Sequence, residues 1–307
     1  VAIDYTTTYL VESLKRKASF PSSQSLFTDL ELISFFSEEL RITVVPLIIK
    51  AREEFFVESV DFSTVTNQAQ YDIPSAAIGA RIRDLLNVQP TGALIRIPRM
   101  APEDFSNFNS NWQQPSGFYI ESNKIVLIPT PTRVVNLRLT YFHRRNQLVP
   151  VAQAGQVLNV VGTLVTLSSV PDDWAAQTEV DFVMGEPNFD VFKRSAVIQA
   201  RAGFDLTFLS ADITDLAAGD WISLEGETPI PAIPLEAFDV LIQAVVVRIL
   251  LALNLQGAAK NEFQLLQEMK NDLLSIIVPR VEAQPKSFTA MGGILGSMTF
   301  PHNWSLW

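Results

Sequence analysis

The 307-residue chain reads as an α+β protein: a helical domain with a β meander, and an inserted small all-β barrel or sandwich domain. Three observations predict this. Amphipathic helical patterns occupy both ends, β-rich runs fill the stretch from Phe62 to Arg145, and a second group of short strands lies between Pro150 and Pro231-Ala232-Ile233-Pro234. At 48% hydrophobic residues there is ample material for a core, and the length suits about two domains. The expected division is 1–150 for the helical layer and meander, 151–233 for the insert, 234–282 for a closing helical pair and 283–307 for a tail.

Tyr5 to Ala18 predicts a first helix, with Tyr9, Leu10 and Leu14 at helical spacing and Lys15, Arg16 and Lys17 at the negative end of its dipole. Phe20-Pro21-Ser22-Ser23 ends it. Thr28 and Glu31 form a capping box for a second helix that carries Leu32, Phe35 and Phe36 on one face. A third helix is expected over about Val45 to Val57, with Pro46 in its first turn and Leu47, Ile48, Ala51 and Phe55 as its apolar stripe.

From Phe62 the pattern turns to strands: Gln70 to Ile73, Ala80 to Val88 and Ala93 to Ile97, the last two separated by the turn Gln89-Pro90-Thr91-Gly92. Pro102-Glu103-Asp104-Phe105 predicts a brief helical turn. Phe118 to Ile120 and Lys124 to Ile128 then form a hairpin across Glu121-Ser122-Asn123, where Asn tolerates positive φ. Pro129-Thr130-Pro131-Thr132 closes the second strand, and Val135 to Phe142 adds a third in which Val135, Leu137, Leu139 and Tyr141 alternate with polar neighbours.

In the insert, Val157 to Val161 and Thr163 to Leu167 flank Gly162, and Glu179 to Met184, Ser195 to Arg201 and Asp205 to Leu209 follow. Gly219 and Asp220 place a turn before Trp221 to Leu224, and Trp221 is expected to plug the small core. Leu235 to Leu255 is apolar enough to raise a membrane span, but Glu236, Asp239, Gln243, Arg248 and Asn254 interrupt it, so a core helix is expected. Gln256-Gly257 is read as a break before an amphipathic helix from Ala258 to Val278 bearing Phe263, Leu266, Met269, Leu273, Leu274 and Ile277, stopped by Pro279.

The final stretch from Ala283 combines Gly292, Gly293 and Gly296 with Phe288, Met291, Ile294, Leu295, Met298, Phe300, Trp304, Leu306 and Trp307. Glycine disfavours a stable helix there, and the apolar side chains call for a partner surface. The expectation is a docking tail; the alternative is that it folds back on its own domain.

Several of these segments, taken together, carry a resemblance. Pro115, Phe118-Tyr119-Ile120, the run Lys124 to Pro131 and the strand end Leu139 to Arg145 resemble the corresponding segment of head-to-tail adaptor (connector) proteins of tailed bacteriophages. The preceding order of helix, Tyr71-Asp72-Ile73-Pro74, strand, turn and strand is similar to them as well. So are Gly219-Asp220-Trp221-Ile222, Pro231 with Pro234, and the helical pair ending Val278 to Glu282. The resemblance implies a non-enzymatic virion protein at the head–tail junction, assembled in the host cytoplasm. It further implies a homo-oligomeric, dodecameric ring that meets the portal protein and distal nozzle, tube or fibre proteins and lets DNA pass without specific binding. The tail residues named above would be its portal-docking site. The insert is larger than the plainest adaptors need, which leaves open which tail parts it meets.

Composition excludes much other chemistry. No cysteine is present, which removes disulfides, thiol catalysis and Cys-based zinc sites. The two histidines, His143 and His302, offer little to a metal, and no metal or cofactor is expected. No apolar run flanked by Lys or Arg opens the sequence, so no secretory signal is expected. A formal net charge of −10 is the wrong sign for holding nucleic acid by its phosphates. The glycine-rich phosphate loops, the Gly-x-Ser-x-Gly elbow and His-Glu-x-x-His are all missing. The pairs Glu38-Glu39, Glu53-Glu54 and Asp172-Asp173 read as solvated charges. His143, Arg144 and Arg145 read as strand-end cations at the surface or against a neighbouring subunit's acids, with phosphate contact as the competing reading. A glycan-binding or glycan-processing tail accessory, with Trp112, Trp174 and Trp221 as sugar platforms, is the main alternative function. An unrelated soluble host protein is a third.

Overall fold

The computed structural model describes residues 5–18, 26–101, 114–187 and 189–278. It is a mixture of helices and sheets, as expected. The first helix, α1 (Thr7–Lys17), buries Leu10, Val11 and Leu14 and ends on its three cations. α2 (Asp29–Glu39) opens with the expected capping box: the Thr28 hydroxyl accepts from the Glu31 amide at 3.3 Å, and Glu31 accepts from the Thr28 amide at 2.7 Å.

The second and third helices are not separate. A π-helical turn, Leu40–Val44, joins α2 directly to α3 (Val45–Ala51). Pro46 has no N–H for the carbonyl four residues back, and the wider turn, in which the Val45 amide reaches Leu40 O, absorbs the missing bond. The helix also stops earlier than expected. Arg52 leaves helical geometry, a 3-10 turn spans Glu53–Phe56, and β1 (Val57–Ser63) follows. Its pairing with a distant strand overrides the helical pattern read at Phe55 and Val57.

Next come β2 (Gln70–Asp72), β3 (Ala77–Val88), β4 (Leu94–Ile97), β5 (Gly117–Glu121), β6 (Lys124–Ile128), β7 (Asn136–His143) and β8 (Gln147–Leu148). The β5–β6 hairpin forms as read, with Ser122 and Asn123 both at positive φ. The three-strand meander does not. β6 pairs with β2 on its other side, giving a sheet of order β2-β6-β5, whereas β7 lies between β1 and β3 in a sheet of order β1-β7-β3-β4. Pro129 and Pro131 end the ladder donors after β6, and β7 finds seven residues of register against β1, from Val57↔Phe142 to Ser63↔Asn136. Its inward residues Leu137, Leu139 and Tyr141 join Leu85, Ile125 and Phe118 in one core. The expected helical turn at Pro102–Phe105 lies outside the described residues.

The second strand group comprises β9 (Ala154–Val161), β10 (Leu164–Leu167), β11 (Glu179–Val183), β12 (Val191–Val197), β13 (Ala200–Ala202), β14 (Asp205–Thr207) and β15 (Trp221–Leu224). They form one sheet of order β12-β11-β15-β9-β10-β14-β13. The strand read over Ser195 to Arg201 is two strands, and these are the two ends of that order. Between them, Ile198 donates to Thr178 O and Gln199 to Thr207 O, so consecutive residues bond to opposite ends of the sheet. Trp174, Val165, Phe182, Leu206 and Ile222 fill its interior. Trp221 is buried, but not there. Alternation along β15 turns Ile222 into the small core and Trp221 into the main helical core, beside Val183, Phe189 and Val191. A last short strand, β16 (Glu227–Thr228), pairs in parallel with β8.

The chain then closes through α4 (Phe238–Ala252) and α5 (Gln256–Ile277). α4 is buried nearly all round, as its unbroken apolar character requires, and packs on α1, α2 and α5. Among the described residues no helix is long and apolar enough to cross a membrane. The break falls at Asn254, at φ 59°, not at Gln256-Gly257, which instead form the first turn of α5. The face of α5 is narrower than read: Ala259, Leu266 and Leu273 are buried at heptad spacing while Phe263 is half exposed.

Candidate functional site

Strand β7 runs out between the helical layer and the second strand group, and its end carries His143-Arg144-Arg145-Asn146. His143, Arg145 and Asn146 are buried; Arg144 alone is exposed. This corrects the reading of the cluster as surface cations: the link to β8 passes through the interior, so the side chains flanking Arg144 must be neutralised there.

Arg145, Asn146 and Arg194 each find partners on other elements, while both His143 ring nitrogens, Arg145 Nε and one Arg194 Nη have no hydrogen-bond partner among the described residues. The Arg145 guanidinium donates to Asp190 at 2.6 Å and to Phe55 O at 3.1 Å, and lies over the Phe56 ring at 4.4 Å. Asn146 donates to Asp181 at 2.7 Å and to Glu227 O at 2.9 Å. Arg194 donates to the Asn146 carbonyl at 2.9 Å and to Glu58 at 3.2 Å. Asp181, fully buried, also accepts the backbone amides of Ser195 and Gly226, each at 3.0 Å. One network therefore ties β1, the β7–β8 link, β11, β12 and the turn before β16.

The electrostatics follow from this burial. Burial, with the nearby Arg145 and Arg194 charges, pushes the His143 pKa down to about 3, so the ring is neutral at ordinary pH. Its Nδ1 stands 4.0 Å from Glu58, which in a neutral ring is a proximity and not an ion pair. Burial and then Glu58 push the Tyr141 phenol up to about 12. The ionic groups here are largely occupied by one another, which suits a junction that fixes orientation better than one that performs acid–base chemistry. Among the described residues no three His, Asp or Glu side chains converge as a metal-ligand set.

Outside the junction lies an open groove of about 1310 Å³ between the helical run and the β7–β8 link. Arg41, Lys50, Arg81 and Arg144 line it together with Arg145 and Arg194. A smaller cavity of about 380 Å³ lies behind His143, bounded by Arg52, Glu58 and Asp190.

Other expectations meet mixed outcomes. Glu38 and Glu39 are not free surface charges, because both receive Arg248. Glu53 is paired with Arg83 at 3.3 Å. Trp174 and Trp221 are buried and cannot act as sugar platforms; Trp112 and His302 lie outside the described residues. The expected docking residues Phe288, Met291, Ile294, Leu295, Met298, Phe300, Trp304, Leu306 and Trp307 also lie outside them. No local pattern in the sequence marks Asp181, Asp190 and Arg194, since Asn146, Arg145 and Glu58, the side chains that hold them, lie 35, 45 and 136 residues away.

The matched segment decides what this arrangement is related to. Residues 36–178 match the SU10 adaptor protein family. The SU10 adaptor match begins within α2, takes in the β1-β7-β3-β4 and β2-β6-β5 sheets, the β7–β8 link and strands β9 and β10, and ends just before β11. It covers slightly less than half of the chain and agrees with the resemblance to phage head-to-tail adaptors carried by residues 115–145. The closing segment also read as adaptor-like, from Gly219 onward, lies beyond it. Such an adaptor has a structural role in a virion and acts through contact with other head or tail proteins. No curated protein matches the chain.

Proposed function

We propose that this chain is the subunit of a ring, dodecameric by the resemblance, that joins the portal of a tailed bacteriophage to the distal tail and lets the genome pass through its lumen. The SU10 adaptor match over residues 36–178 is the observation that carries this reading. The junction supports it: a part under load during genome passage benefits from elements tied together by a buried network of hydrogen bonds and ion pairs. The net charge of −10 suits a conduit in which DNA slides without being held. The protein works without catalysis, cofactor or membrane insertion.

In this reading, residues 151–233 form an inserted barrel on the outside of the ring, turned towards tail components or the neighbouring subunit. The bonds from Ile198 and Gln199 to opposite ends of one sheet support barrel closure. Residues 283–307 are the portal-docking tail. The test is imaging of the purified chain mixed with portal rings. A closed ring of this chain stacked coaxially on the portal is expected; a chain that neither closes nor stacks on portal rings overturns the reading.

A further inference from the structure

We propose that the groove between the helical run and the β7–β8 link is a docking site for an acidic, partly apolar peptide segment of another protein. Four exposed cations converge there from four separate elements: Arg41 on the π turn, Lys50 on α3, Arg81 on β3 and Arg144 after β7. Among the described residues none of the four has an acidic partner. Arg81 only stacks on Phe142, at 4.2 Å. The acids that share the groove are already engaged. Glu38 holds Arg248, Asp181 takes three N–H groups, and Glu225 accepts the Ser195 hydroxyl at 2.8 Å. Six cations against the three carboxylates Glu38, Asp181 and Glu225 leave the groove lining positive, on a chain whose net charge is −10.

Gathering like charges from separate elements raises the free energy of the unoccupied protein, and an anionic partner relieves it. Two further features choose among anions. The groove is also lined by Leu40, Val45, Pro46, Ile49 and Ile78, an apolar surface that phosphates cannot use but that side chains interspersed among carboxylates can. At about 1310 Å³ it also exceeds the range of about 300–1,000 Å³ usual for small-molecule sites, which favours an extended segment.

The inference goes beyond the ring reading and does not rest on it, because peptide binding is measured on the chain as purified and ring closure by imaging. The probe is a short fluorescein-labelled peptide of alternating Glu and Leu, followed by anisotropy, with duplex DNA as competitor. Saturable, salt-sensitive binding is expected, weakened about tenfold or more by combining Arg41→Glu, Lys50→Glu and Arg144→Glu. Combining Arg99→Glu, Arg133→Glu and Lys260→Glu, all away from the groove, should leave it nearly unchanged. If the triple groove variant does not fold, Arg144→Glu alone gives the same comparison at an exposed position. Absence of binding, equal loss in the two variants, or duplex DNA displacing the peptide at lower concentration than unlabelled peptide does would each overturn the proposal.

Discussion

Arg145 donates to the Asp190 carboxylate at 2.6 Å from a side chain only 3% exposed, while Asp190 itself is 45% exposed. The pair is asymmetric: water can solvate the acid alone but not the base. Burial pulls the Arg145 guanidinium below its ordinary range, and Asp190 works against that pull. Asp190→Ala should therefore destabilise the fold by about 2–3 kcal/mol, at or below the lower end for breaking a buried pair because Asp190 is half solvated. Urea unfolding followed by tryptophan fluorescence measures this, and a change within a few tenths of wild type would contradict the junction's role.

His143 makes stability depend on pH with a definite sign. Its folded pKa of about 3 lies below the ordinary value near 6.5, so between these the unfolded chain binds the extra proton and stability falls as pH falls. Glu58, Arg145, Arg194 and the Phe56 backbone face the ring. Between pH 7 and pH 5 the wild type should lose about 2 kcal/mol more than His143→Leu, which cannot take up the proton. Identical pH profiles for the two proteins would show that His143 is not held neutral.

Trp174 is the largest side chain in the small β core, and its indole N–H lacks a partner among the described residues. Trp174→Ala should cost about 3–5 kcal/mol by opening a cavity. Trp174→Phe removes the unpaired N–H as well as volume, so its cost should be less than half of that. Chemical denaturation of both variants gives the comparison.

Truncation at Pro285 separates folding from attachment. Circular dichroism should be nearly unchanged, since the cores described lie within residues 5–278, while binding to portal rings should be lost. An unfolded truncated chain would make the tail part of the core; full binding would move the contact elsewhere.

What the sequence determined by itself was local. The capping box at Thr28 and Glu31, the β5–β6 hairpin at Ser122-Asn123 and the alternation along β7 each depend on residues a few positions apart, where backbone preference and side-chain period decide the outcome. The adaptor resemblance was legible for the same reason, being carried by contiguous runs that fall largely within residues 36–178. Tertiary structure alone decided which strand paired with which. β7 left the hairpin for β1 because a full-length register with matched Asp61 and Arg138 was available 77 residues away. It also decided that Trp221 would serve the helical core, and that Arg145 would be buried while its neighbour Arg144 stayed in water. The groove belongs to this second class. Arg41, Lys50, Arg81 and Arg144 are unremarkable in sequence, and their convergence exists only because the π turn, α3, β3 and the β7–β8 link are folded against a common gap.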